Sequence, residues 1–378
     1  MHFCPNAGVV MVATCLLVAA PGPAVAGPPE KTAPEKTAGE KTAQEKTAGD
    51  SSASPSASAI PAARQAVERG LKFLIDDTAR WREKHNCATC HHGALTSWAL
   101  SAARKQGYPV AAETLADMLH WTRGQFIPRF NKPRDPRPGW NMVQISAIYL
   151  GAMSQDLPVL SREEVHQVAV HLARHQDEDG AWTLQEDIAN QWPPTWESRE
   201  TVALWGLLAW EPYVPADSQA AAAATSRREK ALQWVTSTQS TGTTQAVTLR
   251  LLLDARTGKP AAGLQPGIER LLQKQNADGG WSPTPDLPSD AYATGEALYA
   301  LGSSGVTVDR PEVQKAVSFL VESQRADGSW PMTPRTQPGV EKKRSGNAIP
   351  ITCFGSAWGV LGLVRMVPAH DPPTKVAK

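Results

Sequence analysis

Nowhere in this chain do about eighteen apolar residues follow one another unbroken, the length a membrane-spanning helix needs, so no transmembrane segment is expected. Neither sign of charge dominates. The 38 basic and 37 acidic residues leave a net charge of +1, which removes the case for a nucleic-acid surface. Cysteine is scarce as well: of five in 378 residues, Cys4 and Cys15 fall in the first 26, leaving Cys87, Cys90 and Cys353. Three cysteines build no disulfide framework, and the close pair among them points to a task of its own. Between Gly27 and Ile60 no apolar side chain larger than alanine occurs, proline apart, so that stretch has nothing with which to form a core.

These shortages divide the chain. Residues 1–26 carry an apolar run from Val9 to Ala20, then Pro-Gly-Pro and Ala24-Val25-Ala26, the pattern of an export signal with a small-residue cleavage site. The expected location is therefore periplasmic or extracellular. Residues 27–61 repeat Glu-Lys-Thr-Ala from Glu30, Glu35, Glu40 and Glu45, then turn Ser/Ala/Pro-rich, and read as a disordered tether. Residues 62–367 form the folded domain, and 368–378 a short tail.

Within the domain one phrase recurs. Gln176-Asp-Glu-Asp-Gly180-Ala-Trp182, Gln275-Asn-Ala-Asp-Gly279-Gly280-Trp281 and Gln324-Arg-Ala-Asp-Gly328-Ser-Trp330 share Gln, Asp-Gly and Trp. Gln275 and Gln324 lie 49 positions apart, Gln176 and Gln275 lie 99, so a worn copy belongs between the latter two. Trp234-Val235 leading to Gln239 supplies it; Trp121 with Gln125, and Phe73-Leu74 with Thr78, supply two more. Each lead-in ends a helix with one charged face: 62–77, 111–124, 162–175, 227–238, 266–274 and 311–323. A less polar helix follows each phrase, at 94–105, 143–153, 199–210, 245–255, 291–301 and 354–366, with small residues such as Gly355, Gly359 and Gly362. Alternating polar outer and apolar inner helices predict an all-α fold, an (α/α)6 toroid of six helical hairpins. In it Gly supplies the turn, Trp fills the gap between adjacent units as a wedge, and Gln bonds the backbone of the next inner helix.

Phe319-Leu320-x3-Gln324-x3-Gly328-x-Trp330 resembles the QW repeat of squalene–hopene cyclases and protein prenyltransferase β-subunits, which are α/α toroids. Ser289-Asp-Ala-Tyr-Ala-Thr-Gly-Glu-Ala-Leu298 is similar to the inner-helix entry of those cyclases. The resemblance spans roughly 62–367 and implies the fold. The family's reactions do not follow. The cyclases' Asp-x-Asp-Asp is absent, its nearest echo, Asp177-Glu-Asp179, lying in a repeat turn. The prenyltransferases' Asp-x-Cys zinc motif is absent too, since neither Cys87 nor Cys353 has Asp two residues before it.

What the sequence has instead is Asn86-Cys87-Ala-Thr-Cys90-His91-His92. Cys-x-x-Cys-His is the spacing of c-type haem attachment, with the thiols on the vinyl groups and His91 on the iron. Three other readings of these residues stand beside it: a Cys87–Cys90 disulfide in an oxidising compartment, a zinc or iron ion held with His91 and His92, or incidental histidines. Cys353 reads as a small buried residue rather than a nucleophile. Trp98, Trp140, Trp196, Trp205, Tyr292 and Trp358 lie on or near the inner helices, as do three weaker catalytic candidates, Asp290, Glu296 and Glu200. Aromatic walls with few polar groups suit a small apolar or glycan ligand, and a carboxylate pair suits acid–base work on a glycan. Three functions remain open: a haem or metal protein with a redox partner, a cavity enzyme, and a scaffold with a disulfide.

Overall fold

The computed structural model describes residues 59–85, 87–130, 132, 140–184, 195–211, 213, 217–332 and 348–370. They belong to one compact unit; the expected export signal, nearly all of the expected tether and residues 371–378 lie outside the described residues. Among the described residues twelve α-helices carry the fold: α1 (Ala59–His85), α2 (Thr96–Lys105), α3 (Ala112–Phe130), α4 (Trp140–Ser154), α5 (Arg162–His175), α6 (Thr195–Trp210), α7 (Ser218–Ser237), α8 (Thr244–Arg256), α9 (Ala261–Leu272), α10 (Ala291–Ser303), α11 (Pro311–Ser323) and α12 (Ala348–Met366). No strand occurs among the described residues.

Local chemistry sets the helix limits. Ser161 and Glu164 cap α5 reciprocally, as their spacing predicts. Asp217 accepts a bond from the Ala220 amide at 2.8 Å and starts α7 nine residues earlier than expected, upstream of an alanine run that favours helix. The first helix is the larger departure. Expected to end at Asp77, α1 runs on to His85, which leaves Asp77 and Thr78 buried on its inward side.

The even-numbered helices form the inner ring. α2 packs on α4, α4 on α6, α6 on α8, α8 on α10, α10 on α12, and α12 returns to α2, so the ring closes. Equivalent ends meet. Near the starts of α2 and α12, Thr96 Oγ1 and Cys353 Sγ are 3.7 Å apart. At the other end Arg256, closing α8, donates to the Ala152 carbonyl of α4 at 2.7 Å and to Asp156 at 2.8 Å. Small residues bring α10 and α12 together: a Cβ at Gly362 would lie 2.6 Å from the Gly295 carbonyl oxygen.

The repeat phrase is the joint between hairpins. Gly180, Gly279 and Gly328 take φ of 99°, 85° and 85°, a region costly for any residue with a Cβ. Each presses on the backbone of the next outer helix, at Lys230, Lys315 and Arg69. Trp182, Trp281 and Trp330 are buried, and each indole N–H bonds a carbonyl ten residues back, at Leu172, Leu271 and Leu320. The glutamines correct one expectation. Gln176, Gln275 and Gln324 bond their own turn glycine's carbonyl and that of Arg227, Glu312 and Ala66, which lie on the next outer helix and not the next inner one. The turn projects the amide outward along the rim, where the outer helix begins. The last phrase reaches α1, so the repeat itself closes the ring.

Candidate metal centre at one end of the ring

Among the described residues, aromatic side chains of the inner helices meet one another across the ring. Trp98, Tyr149, Trp205, Tyr292, Tyr299, Phe354 and Trp358 touch one another, with centroid separations from 5.2 to 6.5 Å. At the end where the inner helices finish, Arg256, Asp156 and Tyr299 clasp across it: Arg256 donates to Asp156, as does the Tyr299 hydroxyl at 3.1 Å. The space there, lined by Trp98, Tyr299 and Leu361, has a volume of about 40 Å³, room for a water and far below an isoprenoid's need.

The candidate carboxylates have structural positions. Asp290 caps α10, accepting the Ala293 amide at 2.8 Å. Glu200 accepts from Arg250 Nε, the Thr241 amide and the Thr241 hydroxyl, each at 2.7 Å. Burial alone would raise its pKa; the bonds from Thr241 and Arg250 outweigh that and hold it low. Glu296 is buried and accepts from Gln245 at 3.2 Å. The described bonds of the three carboxylates go to different partners: Ala293, Arg250 with Thr241, and Gln245. Trp140 and Trp196 have no described side-chain surroundings.

The chemistry-bearing residues gather at the opposite end. The loop after α1 is pinned by Trp81, whose indole donates to the Cys87 carbonyl at 2.9 Å. Thr89 then caps a turn of π-helix, Cys90–Leu95, accepting the His92 amide at 3.0 Å. Such turns recur at functional sites because the wider backbone re-aims side chains. Here the turn sends His92 inward, 0% exposed, with its ring stacked on Trp81 at 4.4 Å. Nε2 donates to Asp77 Oδ2 at 3.1 Å, and the Thr89 hydroxyl lies 3.3 Å from Nδ1. The other Asp77 oxygen accepts from Arg80 at 3.2 Å.

Cys353 enters from α12. Its thiol is wholly buried, 3.8 Å from the His91 carbonyl. Ligand atoms of Asp77, His92 and Cys353 all lie within 4.8 Å of one another, every one buried. His91, expected beside His92 as a metal ligand, stands outside this set: its Nδ1 meets Cys90 Sγ at 3.3 Å and its ring stands perpendicular to that of Phe354, 6.3 Å between centroids. Cys90 and Cys353 are free thiols, so the Cys87–Cys90 disulfide is not formed, and the scaffold reading loses its cross-link.

Burial governs the protonation of the group. It pushes the Cys90 thiol up to about 12 and Cys353 higher still, with the Asp77 charge adding to the latter. It lowers His91 well below the usual imidazole range, and it lowers His92 despite the opposing pull of Asp77. Protonated, enclosed thiols are poor nucleophiles, as expected of Cys353.

Sequence reasoning missed Asp77 and Cys353 as partners of His92. A signal for the first was available: in the opening copy the repeat glutamine is replaced by Thr78, and Asp77 stands beside that departure. No spacing rule links Cys353 to a histidine 261 positions earlier.

Among families, the squalene-hopene cyclase N-terminal domain matches residues 218–322. The squalene hopane cyclase afumA of Aspergillus fumigatus is 33% identical over 107 residues, 27% of this chain and 13% of its own length. The match thus spans a small part of that relative. The type II terpene cyclase MstE from Scytonema, as a variant in complex with merosterolic acid A, is similar in structure with a TM-score of 0.53 at 16% identity, over 82% of this chain and 99% of that one. Another MstE variant, in complex with geranylgeranyl dihydroxybenzoate, gives 0.51 at 17% identity over the same shares. The fold is theirs, and only the fold carries across at such identities. Among the described residues the helical hairpins close into a ring, the α/α-toroid fold of those terpene cyclases, and residues 218–322 carry the match to the squalene-hopene cyclase N-terminal domain.

Proposed function

We propose that the protein is a toroid that works at one end rather than through its middle, using a prosthetic metal at the loop between α1 and α2 for a redox or ligand-binding task. The observation that carries this reading is the contrast between the two regions. Cys90, His91, His92, Asp77 and Cys353 converge beside the loop, while the ring's middle is occupied by mutually packed aromatics. A cyclase needs an enclosed cavity matching its substrate. The aromatic plug and the capping of Asp290 argue against isoprenoid or glycan turnover in the middle. Export, expected from residues 1–26, would place the loop in the compartment where c-type haem is attached.

Haem is the second reading, favoured by the Cys87-x-x-Cys90-His91 spacing. The residues as placed fit a compact ion better. Cys87 and Cys90 are each 7% exposed, Phe354 lies edge-on to His91, and Trp81 is stacked between His85 and His92. A haem plane would have to displace that packing. The test is the full chain made in a host able to attach c-type haem, then measured by elemental analysis, intact mass and the pyridine haemochrome spectrum after denaturation. One equivalent of zinc or iron with no added haem mass is the expected result. A covalent haem moves the function to the second reading, and a chain with neither group overturns both.

A further inference from the structure

We infer that Asp77, His92 and Cys353 are three ligands of one divalent cation of the zinc class, with a fourth position left to water or to a bound molecule. The inference rests on the reading that a prosthetic metal serves this end of the ring, and it names a ligand set of which only His92 lies in the Cys87–His92 motif.

Geometry carries it. Around a tetrahedral zinc with bonds of about 2.0–2.3 Å, neighbouring ligand atoms lie roughly 3.3–3.6 Å apart. His92 Nε2 and Asp77 Oδ2 are 3.1 Å apart, and the set including Cys353 falls within 4.8 Å. Drawing the widest separation, 4.8 Å at most, into that range closes about 1 Å, shared among the side chains. The donors suit a borderline cation: one carboxylate oxygen, one imidazole nitrogen, one thiolate sulfur. All three are buried, on three separate elements: α1, the π-turn and α12.

The surroundings fit as well. Arg80 bonds the second oxygen of Asp77 and Thr89 meets the second nitrogen of His92, so both ligands have the outer partners that orient metal ligands. Thr96 lies 3.7 Å from the Cys353 sulfur and donates to the His91 carbonyl at 2.7 Å. On binding, the Cys353 thiol releases its proton and neutral His92 shifts its own from Nε2 to Nδ1, beside the Thr89 hydroxyl, so that sulfur and Nε2 donate electron pairs to the cation; nothing is oxidised or reduced. Three protein ligands with one open position is the arrangement of catalytic rather than structural zinc sites.

The test uses the full chain, stripped by a chelator and titrated with Co²⁺ alone, then with Zn²⁺ in competition. We expect one equivalent of cobalt and a sulfur-to-cobalt charge-transfer band in the near ultraviolet. Cys353→Ser should abolish the band, and Asp77→Asn and His92→Gln should each weaken binding at least about tenfold. X-ray absorption of the zinc-loaded wild type guards against variants that fail to fold, and should give one sulfur at about 2.3 Å beside lighter ligands. A band that survives Cys353→Ser and disappears in Cys87→Ser or Cys90→Ser overturns this ligand set while leaving a metal at the loop. A wild-type chain that takes up no cobalt overturns the ligand set, and if it also carries no haem the proposed function falls with it.

Discussion

Asp77 illustrates how position, more than residue type, decides what a side chain does here. Expected at the last position of α1, it lies instead two turns inside a helix that reaches His85, 7% exposed and bonded to His92. Glu200 looks equally functional in sequence, but its bonds to Arg250 and Thr241 make it a brace between α6 and α8. Glu200→Gln should therefore lower stability by about 1–3 kcal/mol, by leaving buried partners imperfectly matched. Chemical denaturation measures that, and metal content should stay at the wild-type value. His171 provides a pH test remote from the metal. Buried between α3 and α5, with its Nδ1 3.1 Å from the Phe130 carbonyl, it is pushed down to about 3. Below the ordinary imidazole value of 6.5 the unfolded chain takes up a proton that the folded chain refuses until about pH 3. Stability should fall across that window by up to about 1.4 kcal/mol per pH unit from this group, and stay level above it. His171→Phe should flatten the slope in denaturation curves taken between pH 6.5 and 4.

At the scale of elements, the QW phrase is a joint whose three residues have separate tasks. Trp330 packs on Gly359 of α12 in its own hairpin and reaches Gly70 of α1 in the first, where an added Cβ would lie 2.6 Å from its ring. Trp330→Ala should destabilise by about 3–5 kcal/mol, as truncation of a buried aromatic does, and a thermal melt checks it. An unchanged melt would mean that the indole does not hold the units together. The helices were legible in sequence because each obeys a rule with a short reach: apolar spacing, a cap, a glycine turn. The direction of the glutamine amide was not, because it depends on which helix the turn faces once the hairpins are stacked. The metal set lay further out of reach. His92 was readable from its motif, whereas Asp77 needed the true length of α1 and Cys353 needed ring closure to bring α12 beside α2.

Over the whole molecule, closure links the first hairpin to the last at both ends. Gln324 bonds Ala66, Arg64 bonds the Pro368 carbonyl at 2.9 Å, the Tyr108 hydroxyl bonds Val367 at 2.6 Å, and the Ala369 amide bonds Gln106 at 3.1 Å. Removing residues 367–378 deletes three of these bonds and should lower stability by about 2–4 kcal/mol, at roughly 1 kcal/mol for each net bond plus lost burial of Val367. Denaturant titration of the shortened chain is the check. The inferred metal set bridges the same seam, since α1, the π-turn and α12 meet only when the ring is shut. An ion there stabilises the closed ring in proportion to its preference for the folded chain. The most direct measurement is a thermal melt of the purified chain before and after exhaustive chelation, with the released metal counted. The account predicts one equivalent of zinc or iron released, a lower melting temperature for the stripped chain, and recovery when the ion is returned. A chain that releases no metal and melts at the same temperature after chelation would contradict it.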